Sequence, residues 1–483
     1  MVESTLILLL KKFDKQQLKE FNNFVKSPFF NTNNALVKLY EYIRKQHPEF
    51  IPEKLEKKYV YKKLYGKTEF NDGFLRVLMS NLQSLAEEYL MHKAFQHEPL
   101  IKKKYLLDEL SSMGARKHAE KVLNEGLKEL AKSTPKNPED YLGMYYMAFY
   151  KRYLYSTQFI VSKNNKPDES LYEDQKYFNI HFLLRTLASH FYLLNQKQII
   201  NYEPRLIFLD EITLFLERNP EYLEIPMLNI TFLRVLLLKN NDIKDYYRLK
   251  NAFFGTFEKL DNKDAFNTIS IIINYCQKNY SDTEDEIFLK EKFDILKFAV
   301  ENNLNTFEKA EGFEGSRFNN IVNTALEFNE TGWTEDFIRH YGKELEPDRR
   351  DYLIAFASAL VLSAKKENDE ALIRLSKLKN PSSSTDKFNL KTLQLKIYYE
   401  KNYIDQAEST ADSFRHMIQN DNVLPEAYRE SYKNFYSVYV KLLALKLRND
   451  KSDVSDFREK LNTTKNIINK KWLNEKVKEI ENK

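Results

Sequence analysis

The sequence predicts an all-α protein in which an α-solenoid of stacked helical hairpins follows an N-terminal helical domain. The chain has 483 residues but only 10 glycines and 13 prolines, whereas average usage would give about 34 and 24. Sheets, barrels and propellers need many tight turns built from these two residues. Apolar residues recur at three- and four-residue spacing, as in helices that bury one face. No run of strict apolar and polar alternation indicates a strand.

Residues 1–97 are predicted to form the N-terminal helical domain. Asp14 can cap a helix, and Pro28 ends it because the residue before a proline disfavours helical backbone. Phe29 and Phe30 come next, and we expect both side chains to hold this loop in the core. The segments SPFFN, YKKLYG and FLRVLMSNLQSLAEEYL resemble the start of a group of uncharacterised bacterial helical-repeat proteins, which implies a helical fold and no known activity.

Residues 98–450 are predicted to form the solenoid, and residues 451–483 its C-terminal capping helices. At Gly114 a very short turn separates two amphipathic segments, which predicts a helical hairpin. The polar segment Ser162–Ser170 separates two long helices. Further turns follow about every twenty residues, the spacing of helix, short turn and helix in a solenoid. These turns are marked by Pro204, Pro220, Pro226, Asn240–Asp242 and Asp261–Asp264.

The repeat is clearest in the C-terminal half of the chain. Phe337, Ala371 and Ala407 occupy corresponding positions, 34 and 36 residues apart, and a tetratricopeptide repeat has a period of 34. The chain therefore resembles the tetratricopeptide-like superfamily, in which a small residue opens the second helix, as at Ala371 and Ala407. Tyr398, nine positions before Ala407, also matches. The tryptophan, glycine and proline positions of the family are mostly unfilled, and Phe337 replaces the small residue. The resemblance implies the fold and no particular ligand.

Cysteine content and hydropathy favour a cytoplasmic protein without a membrane anchor. The single Cys276 excludes a disulfide framework and cysteine-based zinc or iron–sulfur sites, and it fits a reducing compartment. Leu6–Leu10 has no basic region before it and no cleavage site after it, so we interpret it as the first helix rather than a signal peptide. Leu353–Ala364, the longest weakly polar stretch, is shorter than the roughly 20 residues that span a bilayer.

Charge is distributed unevenly along the chain. Residues 1–135 carry 24 Lys and Arg against 17 Asp and Glu, residues 136–440 carry 39 against 46, and residues 441–483 carry 12 against 7. The two ends are therefore basic and the middle is acidic. A basic end can meet nucleic acid or an acidic protein surface. Lysines on the solvated faces of amphipathic helices explain the same pattern without any partner.

Sequence motifs for catalysis and metal binding are missing or incomplete. Gly66–Thr68 matches the end of a phosphate-binding loop, but Tyr61 stands at its first glycine position and a helix is predicted before it. Zincin, di-iron, hydrolase and metal-phosphohydrolase motifs are absent. Glu88, His92 and His97 lie on one predicted helix, where a metal ion would need further ligands from elsewhere. We therefore expect no cofactor, no metal and no enzymatic activity.

The aromatic segment Tyr141–Phe159 is the densest unusual feature, with eight aromatic residues in nineteen positions. An inner solenoid helix packed against both neighbours explains this density. Alternatively, some of its tyrosines line a groove together with an arginine and anchor a bound peptide. The candidate protein-binding residues are Tyr145, Tyr146, Tyr150, Arg152 and Tyr153.

Three functions are compatible with these patterns, and the sequence favours the first. The first is a non-enzymatic scaffold or adaptor that holds an unidentified protein partner on the concave face of the solenoid. The second is a regulator that contacts nucleic acid through the basic N-terminal helical domain, where residues 61–90 loosely resemble the helix pair of winged-helix activators. The third is a ribonuclease, because Arg185 and His190 have the spacing found in HEPN-type helical ribonucleases, where the pair resembles a phosphate clamp beside a general base.

Overall fold

The computed structural model describes residues 1–132, 135, 137–159, 172–199, 202–305, 313–378, 381, 383–448, 454–464 and 466–482. These residues form 23 α-helices and no β-strand. One isolated bridge occurs, in which the Phe313 N–H donates to the Glu344 carbonyl oxygen at 2.7 Å. The prediction of an all-α protein is confirmed. In the described part of the chain, every helix is too short or too polar to cross a lipid bilayer.

The chain divides into two compact units, of which the first is Met1–Pro135 with Glu139–Asn179 and the second is Lys136–Pro138 with Ile180–Lys483. The first unit holds α1 (Thr5–Leu10), α2 (Lys15–Lys26), α3 (Asn34–Arg44), α4 (Lys57–Tyr65), α5 (Asp72–Gln96), α6 (Pro99–Ser112), α7 (Arg116–Leu130) and most of α8 (Pro138–Phe159). The boundary between the units falls within α9 (Glu173–Ile199).

The second unit contains the remaining fourteen helices of the described residues. They are α10 (Leu209–Arg218), α11 (Pro226–Asn240), α12 (Ile243–Thr256), α13 (Asn262–Thr283), α14 (Glu286–Glu301), α15 (Gly315–Glu327), α16 (Thr331–Tyr341), α17 (Arg350–Ala364), α18 (Asn368–Ser376), α19 (Ser384–Lys401), α20 (Ile404–Asn420), α21 (Glu426–Arg448), α22 (Val454–Thr463) and α23 (Lys470–Glu481). Successive helices pack in pairs, such as α11 with α12 and α13 with α14.

One core of the first unit is built from α1 to α5. The Phe21 ring packs against Tyr40 and Tyr89, with ring centroids 4.7 Å and 5.4 Å apart. The buried Tyr40 hydroxyl donates to the Leu18 carbonyl oxygen at 2.7 Å, which satisfies the polar atom that burial brings into the core. Asp14 caps α2 as predicted, because its carboxylate accepts from the Gln17 N–H at 2.7 Å.

The loop after α2 differs from the sequence prediction. Phe30 stacks on Phe24, with centroids 3.9 Å apart, and packs against the first core. Phe29 is 87% exposed, so the prediction that both phenylalanines enter the core is wrong for Phe29. The loop is held in another way, since the Asn31 side-chain amide donates to the Val25 carbonyl oxygen at 2.8 Å. This hydrogen bond fixes the turn without a second buried ring.

A second core of the first unit lies between α6, α7 and α8. The predicted hairpin is present, and Gly114 joins α6 to α7 with a left-handed φ of +68°. The predicted domain boundary at residue 97 falls between α5 and α6, where one core ends and the other begins, whereas the compact units separate within α9. The predicted boundary at residue 451 and the polar segment Ser162–Ser170 lie outside the described residues.

In the second unit, each of five helices that begin a pair is followed by a left-handed residue. Each of these helices is followed closely by a partner helix that reverses direction, and a positive φ lets the chain leave a helix sharply. Asparagine adopts this conformation more readily than most residues because its short polar side chain bonds to local backbone. The left-handed residues after α11, α13, α15, α17 and α19 are Asn241, Glu284, Asn329, Lys366 and Asn402.

Two helical glycines offer a matched test of packing between the helices. A Cβ atom at Gly143 in α8 would lie 2.9 Å from Leu100 Cβ, whereas a Cβ at Gly255 in α12 would have no atom within 4 Å. Alanine favours a helix over glycine by about 1 kcal/mol, but overpacking costs about 1–3 kcal/mol. We expect Gly143→Ala to lower the free energy of unfolding and Gly255→Ala to leave it unchanged or raise it, measured by urea denaturation. An equal gain from both substitutions would contradict this packing.

Candidate protein-binding surface

Helix α8 has one face in the core and one face in solvent. Met147, Tyr150 and Leu154 are buried against α6 and α7. Tyr145, Phe149 and Tyr153 follow one another at four-residue spacing, which places them on a common face of the helix. The ring centroids of Tyr145 and Phe149 are 6.2 Å apart, and those of Phe149 and Tyr153 are 6.3 Å apart. Helix α8 therefore carries a row of rings in which Tyr153 is exposed and Tyr145 and Phe149 are half-buried.

Helix α9 adds a fourth ring to this row. The Phe178 ring centroid lies 5.2 Å from that of Tyr145. Phe178 is 48% exposed and Tyr153, at the other end of the row, is 58% exposed. We call the surface formed by Phe178, Tyr145, Phe149 and Tyr153 the aromatic strip. The rings of the strip pack against one another. Because they are half-buried or exposed, part of each ring surface stays accessible to a partner.

An arginine is held at the edge of the aromatic strip. The Arg152 guanidinium donates from Nε and Nη2 to Asp174 Oδ2, at 3.0 Å and 2.7 Å. Its central carbon lies 5.6 Å from the Phe149 ring centroid, in the range of a cation–π contact. Because Asp174 is buried, its carboxylate holds the Arg152 guanidinium in place. Arg152 therefore has one orientation beside the rings.

The structure places the five predicted residues on two sides of α8. Tyr145, Tyr153 and Arg152 belong to or border the aromatic strip. Tyr146 packs with the second core, and the Lys104 ammonium lies 5.5 Å from its ring centroid. Tyr150 is 6% exposed and its hydroxyl donates to Asp108. Burial, together with the Asp108 carboxylate, raises the pKa of the Tyr150 phenol. Tyr150 therefore serves packing, whereas Tyr146 is half-buried and packs against the edge of the second core, as Phe149 does.

Two members of the aromatic strip were missed by the sequence analysis. Phe149 has a local signal, because it stands midway between Tyr145 and Tyr153 at the spacing of one helical face. Phe178 has no such signal, since it lies on another helix and more than twenty positions further along the chain. Only packing of α9 against α8 brings it beside Tyr145.

The cations around the aromatic strip are already neutralised. Lys104 pairs with Asp108 at 2.6 Å, Lys151 with Glu173 at 3.0 Å, and Arg152 with Asp174 at 2.7 Å. A surface that binds a polyanion uses cations that exchange their counterions for phosphates. Because these three cations have carboxylate partners in the protein, the strip favours an apolar or aromatic ligand.

The structure does not bring Arg185 and His190 together. Five positions on a helix correspond to a rotation of about 140°, and Arg185 is exposed whereas His190 is buried. His190 Nε2 donates to the Ile207 carbonyl oxygen at 3.0 Å. Burial lowers the pKa of this imidazole. The histidine of the predicted ribonuclease pair thus has a structural partner inside the second unit.

The structure also shows the surroundings of the Gly66–Thr68 segment and of His92. Gly66 ends helix α4 with a φ of +66°, so no strand leads into the Gly66–Thr68 segment. The His92 ring lies 4.9 Å from Phe30 and 5.6 Å from Phe24, within the aromatic cluster at the end of α2. Across the described ranges, no three His, Cys, Asp or Glu side chains are grouped to hold a metal ion.

Comparison of the chain with protein-family models, with curated proteins and with solved structures finds no match. The geometry of the described residues is therefore the basis for the function proposed below.

The two sides of α8 are expected to respond differently to truncation. Tyr150→Ala removes a buried ring and leaves Asp108 without its hydroxyl donor, so it should lower the free energy of unfolding by about 3 kcal/mol or more. Tyr153→Ala removes an exposed ring and should change that free energy by less than about 0.5 kcal/mol. Chemical denaturation followed by circular dichroism measures both. Comparable losses from the two substitutions would show that Tyr153 is a core residue.

Proposed function

We propose that this protein is a non-enzymatic scaffold or adaptor that binds an apolar segment of a protein partner on the aromatic strip. The observation that carries the proposal is the row of four exposed or half-buried rings with a fixed arginine at its edge. Tyrosine, tryptophan and arginine dominate the binding energy of protein interfaces, and phenylalanine is enriched there. The rings already touch one another, so little side-chain freedom is lost when a partner binds.

The spacing of the strip fits an amphipathic helix. Tyr145, Phe149 and Tyr153 repeat once per turn along α8, close to the 5.4 Å pitch of a helix. A partner helix lying along α8 would set apolar residues at positions i, i+4 and i+7 between these rings. The paired charges of Lys151 and Arg152 leave the edges of the strip polar and close to neutral. The proposed partner therefore needs an apolar stripe and no strong net charge.

For the second unit we propose a tetratricopeptide-like solenoid of degenerate helical hairpins. The support is the pairing of successive helices and the left-handed residue that ends the first helix of five pairs. Phe337, Ala371 and Ala407 are also all buried at their corresponding positions. In such a solenoid the first helices of the hairpins form the inner face.

Helix α23 contacts the C-terminal ends of three of these first helices. It reaches α13, α15 and α19 through contacts of Lys470 with Glu284, Lys471 with Glu327 and Trp472 with Glu400. Because the exposed rings of Tyr153 and Phe178 belong to the first unit, we place the partner on the aromatic strip. With its single buried cysteine, the protein is proposed to act in the cytoplasm.

The proposal is tested by recovery of a partner with tagged full-length protein. Wild type should recover at least one protein in stoichiometric amount from native lysate of the source cells. Tyr153→Ala combined with Phe178→Ala removes both exposed ends of the strip and should reduce recovery at least tenfold, about 1.4 kcal/mol of binding energy. Tyr192→Ala combined with Phe182→Ala is the matched control, because these α9 rings are also exposed.

A photo-reactive residue at position 153 should crosslink to the protein that the strip variant loses. Equal recovery by the strip variant and the control variant would overturn the proposal, because an anchoring surface must lose affinity when its rings are removed. Failure to recover any protein across several growth conditions would count against the scaffold function itself.

Nucleic-acid binding is a second candidate, supported by the excess of 24 basic over 17 acidic residues in positions 1–135. If residues 1–135 bind phosphates, retention on heparin and on random DNA should fall steeply as salt is raised. If the scaffold function is the correct one, retention should already be absent at about 50 mM salt. Retention that decreases log-linearly with salt would favour the nucleic-acid function over the scaffold.

A further inference from the structure

Helix α4 in the first unit exposes a basic face. Residues 53–69 carry six lysines against three glutamates, a net charge of +3. Lys57 pairs with Asp72 at 2.8 Å. Among the residues that the structure describes, four further lysines are exposed and have no carboxylate oxygen within 4.0 Å: Lys58, Lys62, Lys63 and Lys67. Unlike the cations beside the aromatic strip, these four lysines are available to carboxylates or phosphates from outside the molecule.

Three apolar side chains lie exposed beside these lysines. Tyr59 is on α4, and the Lys63 ammonium lies 5.6 Å from its ring centroid. The exposed Phe74 ring of α5 packs on Tyr65 at the C-terminal end of α4, with centroids 5.6 Å apart. Val77 is exposed one turn after Phe74. We call the four lysines together with Tyr59, Phe74 and Val77 the α4 surface.

Helix α10 and the short 3-10 helix Pro220–Glu224 expose an acidic face in the second unit. Residues 203–224 carry six acidic residues against two arginines, a net charge of −4. Asp210 and Glu203 are paired with lysines of the same unit. In the described part of the chain, four glutamates are exposed and have no cationic nitrogen within 4.0 Å: Glu211, Glu217, Glu221 and Glu224.

The acidic face also has apolar side chains in solvent. Ile207 and Phe208 are exposed immediately before α10, and Leu214 is exposed in the middle of the helix. The Phe215 and Tyr222 rings, with centroids 5.1 Å apart, hold the 3-10 helix against α10. We call the four glutamates together with Ile207, Phe208 and Leu214 the α10 surface.

The α4 surface and the α10 surface complement each other in charge and in apolar content. Each has four unpaired charges of one sign beside three exposed apolar side chains. Binding to a nucleic-acid backbone uses cations that replace counterions and gives no role to an exposed Val77. Protein interfaces combine apolar contacts with a polar, charged rim. The α4 surface therefore fits an acidic protein surface, and every copy of this chain carries one.

We propose that the protein associates with itself, through the α4 surface of one copy and the α10 surface of a second copy. Lysines of the first would pair with glutamates of the second, and opposite charges guide the two surfaces together. The contact joins two different surfaces, so it is made twice in a closed dimer or repeats in a longer assembly. This inference is independent of the aromatic strip, which belongs to neither surface.

Analytical ultracentrifugation of the purified full-length protein tests this association. At about 50 mM salt, the weight-average mass should rise above the 57.6 kDa of one chain as the protein concentration is raised to about 100 μM. At about 500 mM salt it should return to the mass of one chain, because screening shortens the reach of charges from about 10 Å at 0.1 M to about 3 Å at 1 M. A wild-type protein that stays at the mass of one chain under the first condition overturns the proposal.

Charge reversal on each surface identifies the two sides of the contact. Lys58→Glu combined with Lys62→Glu makes the α4 surface acidic, and Glu217→Lys combined with Glu221→Lys makes the α10 surface basic. Either variant alone should associate at least tenfold more weakly than wild type, because like charges then face each other. An equimolar mixture of the two variants should associate again, because the acidic α4 surface of one meets the basic α10 surface of the other. Regained association also shows that both variants are folded.

Lys117→Glu combined with Lys121→Glu is the matched control and should associate as wild type does. These α7 lysines are also exposed, and they lie one helical turn apart as Lys58 and Lys62 do. The proposal fails if the control variant loses association as the α4 variant does, or if the mixture stays at the mass of one chain. It also fails if the α4 variant loses retention on heparin and random DNA but keeps the mass of wild type, since its lysines would then bind phosphates.

Discussion

The structure depends on reversing the chain after almost every helix with very little glycine. Among the glycines of the described residues, only Gly66 and Gly114 have a positive φ. Ten residues other than glycine also have a positive φ, and six of them are asparagines. Asparagine tolerates this conformation because its side chain bonds to nearby backbone atoms. Turns made in this way are short, so each helix meets the next one along the chain and buries its apolar face against it. Pairing of successive helices in the second unit follows from these turns.

Aromatic side chains have two different roles in the first unit. Tyr150 fills the core between α6, α7 and α8, and its hydroxyl is satisfied by Asp108. Tyr153, three positions later, lies in solvent and stacks on Phe149. The difference comes only from rotation around α8. A dense aromatic helix can therefore be a packing element and a binding surface at once. The ion pair of Arg152 with Asp174 keeps that surface nearly neutral.

Helix α23 links the C-terminal core to helices that are far away in sequence. Trp472 and Leu473 anchor it beside α19 and α21, and this fixes Lys471 against the carbonyl oxygen of Glu327, 144 residues earlier. The opposite face of α23 is polar and contacts the C-terminal ends of α13 and α15 through Lys470 and Lys471. The apolar side of α23 packs into the C-terminal core, and its polar side carries Lys470 and Lys471.

The sequence by itself determined the helical class, the Asp14 cap, the hairpin at Gly114 and the aromatic density of α8, since each depends on residues a few positions apart. It also indicated Tyr145, Arg152 and Tyr153 as candidate contacts. Tertiary structure decided the rest. It buried Tyr150 in the core, left Phe29 in solvent, brought Phe178 beside Tyr145 and buried His190 while Arg185 stayed exposed. Periodicity shows that a helix has an apolar face, but an aromatic residue is compatible with both faces. Which face is buried depends on neighbours that are distant in sequence, and only their packing supplies that information.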